Sequence, residues 1–225
     1  MTEGRSARAG HAYPAAPWTM QGQLWLSLFR VRADVDELRP AGIYGAAFVS
    51  YEPGSELTYS ELLVARPVPP EGGEERGRRL RVPGSRRASS ARVEITDIWV
   101  DSPTSMEGGR ELWAIPKDLC DFTLETGHTG PLSRTDWAAS AGRRPIASAS
   151  FTDVSRAAVR LPFRGGTWQP GLDGGPDRTA TLRGSARSLP CRGTWDFDRS
   201  GPLGWLADAR RLASFRMAGF RMTFG

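Results

Sequence analysis

The run Met106-Glu107-Gly108-Gly109-Arg110-Glu111-Leu112-Trp113-Ala114-Ile115-Pro116-Lys117-Asp118 (MEGGRELWAIPKD) holds the only lysine in the chain. Lysine and arginine together number 30, so the other 29 are arginine. A GC-rich genome replaces lysine by arginine wherever charge alone matters. Only lysine carries a side-chain amine that can lose its proton and attack a carbonyl. The retained lysine therefore marks a candidate position for amine chemistry. Its neighbours Trp113, Ile115 and Leu119 are apolar, and desolvation disfavours an ammonium. The sequence thus predicts an amine titrating well below the ~10.4 of a free lysine. The same pattern also fits a lysine stem lying on apolar surface with its head in water.

Working outward, Gln23–Val31 (QLWLSLFRV) sets Leu24, Leu26 and Leu28 against Trp25, Phe29 and Val31, as in a strand buried on two sides. Ile43–Tyr51, Leu57–Ala65 and Arg92–Val100 read as further strands. In the last, Val93, Ile95 and Asp97 alternate with Glu94, Thr96, Ile98 and Val100, on opposite faces. Downstream, Phe122–Thr126, Ile146–Thr152, Ala157–Phe163, Ala180–Leu189, Gly193–Phe197 and Arg211–Phe224 complete the set. Helix is predicted at Pro202–Arg211, with one helical turn at Asp34–Leu38. Arg66–Ser90 and Arg164–Arg178, rich in Gly and Pro, read as loops, the first exposed with its arginines away from any site. Short strands between Gly/Pro turns predict a mainly β barrel or sandwich with few short helices. At 225 residues the chain fits one domain, residues 13–225, after a disordered 1–12.

Composition closes other routes. No run reaches the ~18 to 20 apolar residues of a membrane helix. Met1–Ala12 lacks the apolar stretch of a signal peptide, so a cytoplasmic location is expected, away from membranes. Two cysteines, Cys120 and Cys191, and two histidines, His11 and His128, with no Cys-x-x-Cys, predict neither a disulfide framework nor a metal site. The net charge of +5 is spread along the chain. The Arg-rich stretch around Arg76–Arg92 adjoins Glu71, Glu74 and Glu75 and has few aromatics, which suits a solvated loop rather than a nucleic-acid surface. No nucleophile elbow, P-loop or dinucleotide fingerprint is present.

The motif GRELWAIPK, Gly109–Lys117, resembles the signature of acetoacetate decarboxylases, in which the lysine after the proline forms a Schiff base. The Pro14–Trp18 run (PAAPW), the segment Tyr59-Ser60-Glu61 and the C-terminal Pro202–Phe224 are similar to that family as well. The resemblance implies a β-barrel or cone around the site and no cofactor. It gives Lys117 as nucleophile and Glu61 as the acid/base or substrate-orienting group. It makes Arg110 and Glu111 either a buried ion pair holding the lysine segment or direct participants. Trp113, Trp18 and Trp25 become candidate pocket walls, with core packing as the alternative for each. The implied partner is a small keto acid or ketone, and the expected assembly a homo-oligomer. Three departures bear on the reaction. Asp118 stands where the family has a second lysine, Gln23 where it has an arginine at the first strand, and Ala46 where it has a second glutamate. Without the arginine, decarboxylation of a β-keto acid loses its natural carboxylate anchor, unless Arg30 or Arg66 replaces it. The expected chemistry is therefore that of a Schiff-base lyase of the aldolase or dehydratase kind, in specialised-metabolite biosynthesis. A true decarboxylase, and a cyclase or binding protein using the cavity without covalent catalysis, are the alternatives.

Overall fold

The two apolar faces of the first strand meet two different cores. In the computed structural model, residues 13–68, 92–154 and 158–225 are described. In chain order the elements are β1 (Trp18–Val31), β2 (Gly42–Tyr51), β3 (Tyr59–Val68), β4 (Arg92–Val100), α1 (Pro103–Trp113) and β5 (Lys117–Leu119). Then come β6 (Asp121–Thr129), β7 (Leu132–Ala141), β8 (Arg144–Asp153), β9 (Arg160–Gln169), β10 (Arg178–Pro190), β11 (Arg192–Phe197) and β12 (Arg210–Phe224). Seven strands close a barrel in the order β3-β2-β1-β12-β10-β9-β4, with β4 pairing back to β3. Pairing is antiparallel except for the short β4–β9 contact. β5 adds to β4 in parallel, with Lys117 opposite Ile98. The other sheet is β11-β8-β7-β6. This is the mainly β barrel expected from the sequence.

The larger core lies between the barrel and that four-stranded sheet. Trp25, Phe29, Phe48, Leu62 and Trp99 on the barrel's outer face meet Trp137, Phe151 and Phe197 from the sheet. Phe48 stacks on Trp137 with centroids 5.2 Å apart and planes 6° apart. Each such side chain contributes about 1.5–3 kcal/mol through burial. The second core is the barrel interior, with Trp18, Met20, Val49, Ile98, Val100 and Phe220.

Several local expectations are corrected. The described α-helix is Pro103–Trp113, whereas Pro202–Arg211 forms only a 3-10 turn at Gly204–Leu206. A Cβ at Gly204 would lie 2.3 Å from the Arg199 carbonyl oxygen, so this segment folds tightly on itself before β12 begins. Asp34–Leu38 makes no helical turn: the Asp36 carboxylate accepts the Leu38 and Arg39 N–H groups at 3.0 and 2.9 Å and holds a bend. Strand β7 has no counterpart in the sequence reading. Arg164–Arg178 is not one loop, since β9 runs to Gln169 and β10 starts at Arg178. The glycines misled there: a Cβ at Gly166 would lie 2.6 Å from the Ala180 carbonyl oxygen, so glycine permits close strand approach rather than a turn. In β4 a bulge at Thr96 resets the alternation, with Val64 opposite Asp97 and Ala65 opposite Ile95. Ile95 and Ile98 consequently share the inner core instead of facing apart. Arg66 belongs to β3 and pairs with buried Glu94 at 2.5 Å, so it is not part of an exposed loop. The expectations for residues 1–12 and 69–90 lie outside the described residues. No described helix is long and apolar enough to cross a membrane.

Candidate active site

Lys117 is delivered by the end of α1. Ser102 caps the helix, its Oγ accepting the Ser105 N–H at 3.2 Å, and Pro103 occupies the first turn. At the other end Ala114 turns left-handed at φ 53°. The N–H groups of Ala114 and Ile115 donate to the carbonyls of Arg110 and Gly109, both at 3.1 Å. These bonds satisfy the last helical carbonyls. Pro116 cannot continue the helix, and the chain leaves as β5 with the Lys117 side chain turned back under α1. The glycines of the motif explain that path. A Cβ at Gly109 would sit 2.8 Å from Lys117 Cδ and 2.9 Å from Cε, while one at Gly108 would sit 2.7 Å from the Trp18 ring.

The amine is buried and fully engaged. Nζ donates to Ser105 Oγ at 2.9 Å, Glu61 Oε2 at 3.0 Å and Tyr59 OH at 3.3 Å. The Tyr51 hydroxyl donates to the other Glu61 oxygen at 3.2 Å. The two tyrosine rings lie 4.4 Å apart. Burial alone favours the neutral amine, but the Glu61 carboxylate, seconded by Tyr59, outweighs it and holds the Lys117 pKa above its usual value. This reverses the expected depression, because the apolar setting seen in sequence omits an ionised partner 56 residues away. Burial, reinforced by the charge of Glu61, pushes the Tyr51 phenol well above its usual value. Burial also raises Tyr59, against the nearby ammonium.

Lys117, Glu61, Tyr51 and Tyr59 line a cavity of about 240 Å³ inside the barrel. Its remaining wall is almost wholly apolar: Trp18, Trp113, Met20, Leu63, Ile95 and Phe224 are among the lining residues, with Thr167, whose Oγ1 is itself buried. Two of the three tryptophans proposed as walls, Trp18 and Trp113, therefore line it, their rings packed edge-on at 4.8 Å. Trp25 does not; it faces the outer core beside Trp137 and Phe151. Gln23 shares that outward parity. It donates to Glu52 at 3.1 Å and accepts from Arg216 at 3.1 Å, while Leu24 takes the inward position. Arg110 and Glu111 are exposed and do not form the buried pair that was expected. Arg110 instead holds the Lys117 carbonyl at 3.0 Å and approaches Asp118 at 3.7 Å. Glu111 accepts a hydrogen bond from Tyr13 that raises the Tyr13 phenol to about 12. Ala46 lies in the outer core, and the residue paired with Glu61 on β2 is Val49. Neither Arg30, exposed at the end of β1, nor Arg66 lines the cavity.

Sequence reasoning missed Ser105, Tyr51 and Thr167, and gave Tyr59 no role. Ser105 was within reach: Ser102-Pro103 is a helix-start signature, and a helix from there places Ser105 one turn before Gly109 on the same face. Tyr51 and Thr167 reach the site only through strand register, which carries no local signal. Among the described residues, no three His, Cys, Asp or Glu side chains gather where they could hold a metal ion.

The profile of the Acetoacetate decarboxylase (ADC) family matches residues 36–182, well over half of the chain. The chain belongs to the acetoacetate decarboxylase family. No curated protein sequence matches it. Solved structures of acetoacetate decarboxylase-like proteins share its fold. The enduracididine biosynthesis enzyme MppR, complexed with pyruvate, is 14% identical, with 95% of this chain and 90% of that one covered and a TM-score of 0.61. Acetoacetate decarboxylase from Legionella pneumophila is 14% identical over 97% of this chain and 88% of that one, with a TM-score of 0.59. An acetoacetate decarboxylase-like enzyme from Sphingomonas wittichii is 13% identical over 93% and 91%, with a TM-score of 0.54. At such identities the likeness is one of fold.

Proposed function

We propose that this protein is a cofactor-independent Schiff-base lyase that makes or breaks a carbon–carbon or carbon–oxygen bond next to a carbonyl. Lys117 is the nucleophile and Glu61 its proton partner. The observation that carries the reading is the buried Lys117 Nζ, 3.0 Å from Glu61 on the wall of an otherwise apolar cavity. In the resting site the amine is protonated. Glu61 takes one proton and the free amine attacks the carbonyl carbon. Glu61 then relays two protons to the departing oxygen, the one it took and a second from the adduct nitrogen, and the oxygen leaves as water. A protonated imine and a carboxylate remain, so charge and atoms balance. The imine is an electron sink: it stabilises the carbanion left when Glu61 removes an α-proton, or when a bond at that carbon breaks. Ser105 and Tyr59 fix the nitrogen throughout.

Among the described residues no arginine lines the cavity. A carboxylate therefore finds no guanidinium to hold it across the imine plane, which favours proton exchange, addition and elimination over loss of carbon dioxide. The enduracididine biosynthesis enzyme provides a parallel for a role in specialised metabolism. The test is borohydride reduction in the presence of a ketone, with peptide mass analysis. Mass is expected on Lys117 and none in Lys117→Arg, which keeps charge and bulk but forms no imine. A fully active arginine variant would sink the covalent mechanism. Carbon dioxide release from acetoacetate is expected to be slower than deuterium exchange into a bound ketone. Release at ~10 per second, typical of an efficient enzyme, would show that the missing guanidinium is no handicap.

A further inference from the structure

The number of N–H donors at Lys117 changes when an imine forms, and the partners of the nitrogen are arranged for both states. An ammonium has three N–H donors. Lys117 spends them on Ser105 Oγ at 2.9 Å, Glu61 Oε2 at 3.0 Å and Tyr59 OH at 3.3 Å. A protonated imine keeps a single N–H, so two of those bonds must go. The remaining N–H lies in the plane of the imine. The α-proton leaves perpendicular to that plane, where the breaking bond overlaps the C=N π system. Glu61 Oε2 cannot lie in the plane for the first and above it for the second.

A second acceptor stands ready. Glu61 and Tyr59 line the cavity from which a carbonyl arrives, whereas Ser105 does not line it and is 0% exposed. The arriving carbon therefore displaces N–H bonds on the cavity side and leaves the Ser105 bond in place. Ser105 is itself fixed: its N–H donates to the cap at Ser102 Oγ at 3.2 Å, and it lies one turn before Gly109, where the lysine stem crosses α1. Tyr59 stays with the nitrogen through its ring, whose centre is 5.0 Å from Nζ, a contact that needs no N–H. Glu61 is held at its other oxygen, where the Tyr51 hydroxyl donates to Oε1 at 3.2 Å. The Tyr51 ring is wedged between Tyr59 at 4.4 Å and Phe220 at 5.8 Å. A carboxylate released at Oε2 and pinned at Oε1 pivots instead of drifting.

We propose that Ser105 and Tyr51 are positioning residues that pass Glu61 from the nitrogen to the α-carbon: Ser105 takes over the iminium N–H, and Tyr51 holds the carboxylate by Oε1 while Oε2 takes the α-proton. This rests on the imine chemistry proposed above. In that step the α-carbon–hydrogen bond breaks and its proton goes to Oε2. Its electron pair forms the C=C bond of an enamine as the C=N pair returns to nitrogen. Iminium and carboxylate become neutral enamine and neutral acid, and the N–H stays on Ser105.

Acetone in deuterium oxide tests the proposal on the full chain. Borohydride trapping with peptide mass analysis reads the fraction of Lys117 carried as imine, and proton NMR reads the rate at which deuterium enters acetone. The informative quantity is exchange rate per trapped imine. Misplacing reacting groups by about 1 Å costs up to about 100-fold, so this ratio is expected to fall roughly 10- to 100-fold in Ser105→Ala and in Tyr51→Phe, with the adduct still forming. A merely structural role would lower adduct and exchange together and leave the ratio unchanged. Should the alanine variant unfold, Ser105→Cys, which keeps the bulk with a weak acceptor, takes its place. An unchanged ratio removes the substituted residue from the hand-over. A variant that forms no adduct shows its hydroxyl acting before the hand-over, which also overturns the proposal for that residue. Wild-type protein that exchanges acetone with no mass on Lys117, or does neither, overturns the imine reading itself.

Discussion

Replacing Gly109 with alanine separates stability from chemistry at a single atom. The added Cβ would lie 2.8 Å from Lys117 Cδ and 2.9 Å from Cε. Recovering the ~3.5 Å of an ordinary carbon–carbon contact requires a displacement of about 0.7 Å. The helix backbone is fixed by its cap at Ser102 and by the closing bonds at Ala114 and Ile115, so the lysine stem moves. Its nitrogen is held by Ser105, Glu61 and Tyr59, and the movement must lengthen one or more of those bonds. Misplacement on the order of 1 Å costs up to about 100-fold in rate, so the imine should form some 10- to 100-fold more slowly in Gly109→Ala. Folding stability should hardly fall, because alanine in a helix is favoured over glycine by about 1 kcal/mol, which offsets the crowding. The assay pairs the rate of borohydride-trappable adduct formation with a urea denaturation curve. Trapping at the wild-type rate would refute the claim that Gly109 sets the path of the amine. A loss of several kcal/mol in stability would show that the backbone, not the lysine, yields.

Alkaline pH should unfold the protein through this same site. Lys117 has a folded pKa above its unfolded value, so its contribution is present below about pH 10.5 and lost as pH rises through the folded pKa. Tyr51 and Tyr59, held neutral when folded, add a loss in the same direction above about pH 10; denaturation midpoints that stay flat from pH 8 to 11 would contradict this. Asp153→Ala should cost about 3–5 kcal/mol, because it strands Arg216 (the pair sits at 2.9 Å, 4% and 0% exposed) between the barrel and the sheet, while adduct formation at Lys117 stays near wild type. Both thiols should resist alkylation at pH 8 in the native protein, since burial pushes Cys120 up to about 12 and Cys191 to about 11; labelling as fast as in denaturant would refute it.

The fold was legible wherever a strand kept a simple alternation. The two apolar faces of Gln23–Val31 foretold two cores, and the structure supplies both. Legibility failed where glycine served packing. Gly108 and Gly109 argue against helix by propensity, so α1 was passed over, yet they are what lets Trp18 and the lysine stem lie against it. It failed again at the Thr96 bulge, where one extra residue moves Ile98 to the inner face. Of the candidate site, the pairing of Lys117 with Glu61 was reachable through a family resemblance alone, for they sit on β5 and β3 with β4 between them. The raised pKa was not reachable, since it depends on that distant carboxylate. Gln23 and Ala46 were placed at the site by counting along the chain, but both face the outer core, where parity and not sequence distance decides.

The division into an inner and an outer core leaves the molecule with two separately editable halves. Phe48, Trp137, Phe151 and Trp195 lock the barrel wall to the four-stranded sheet without touching the cavity. Inward positions such as Leu63, Ile95, Leu182 and Met222 can therefore drift in size and polarity while the outer aromatic lock keeps the strands in register. A library confined to those inward positions should return folded proteins at high frequency, each with a differently shaped chamber around the same amine. Such an architecture lets substrate preference wander over generations while the lysine stays where the helix end puts it.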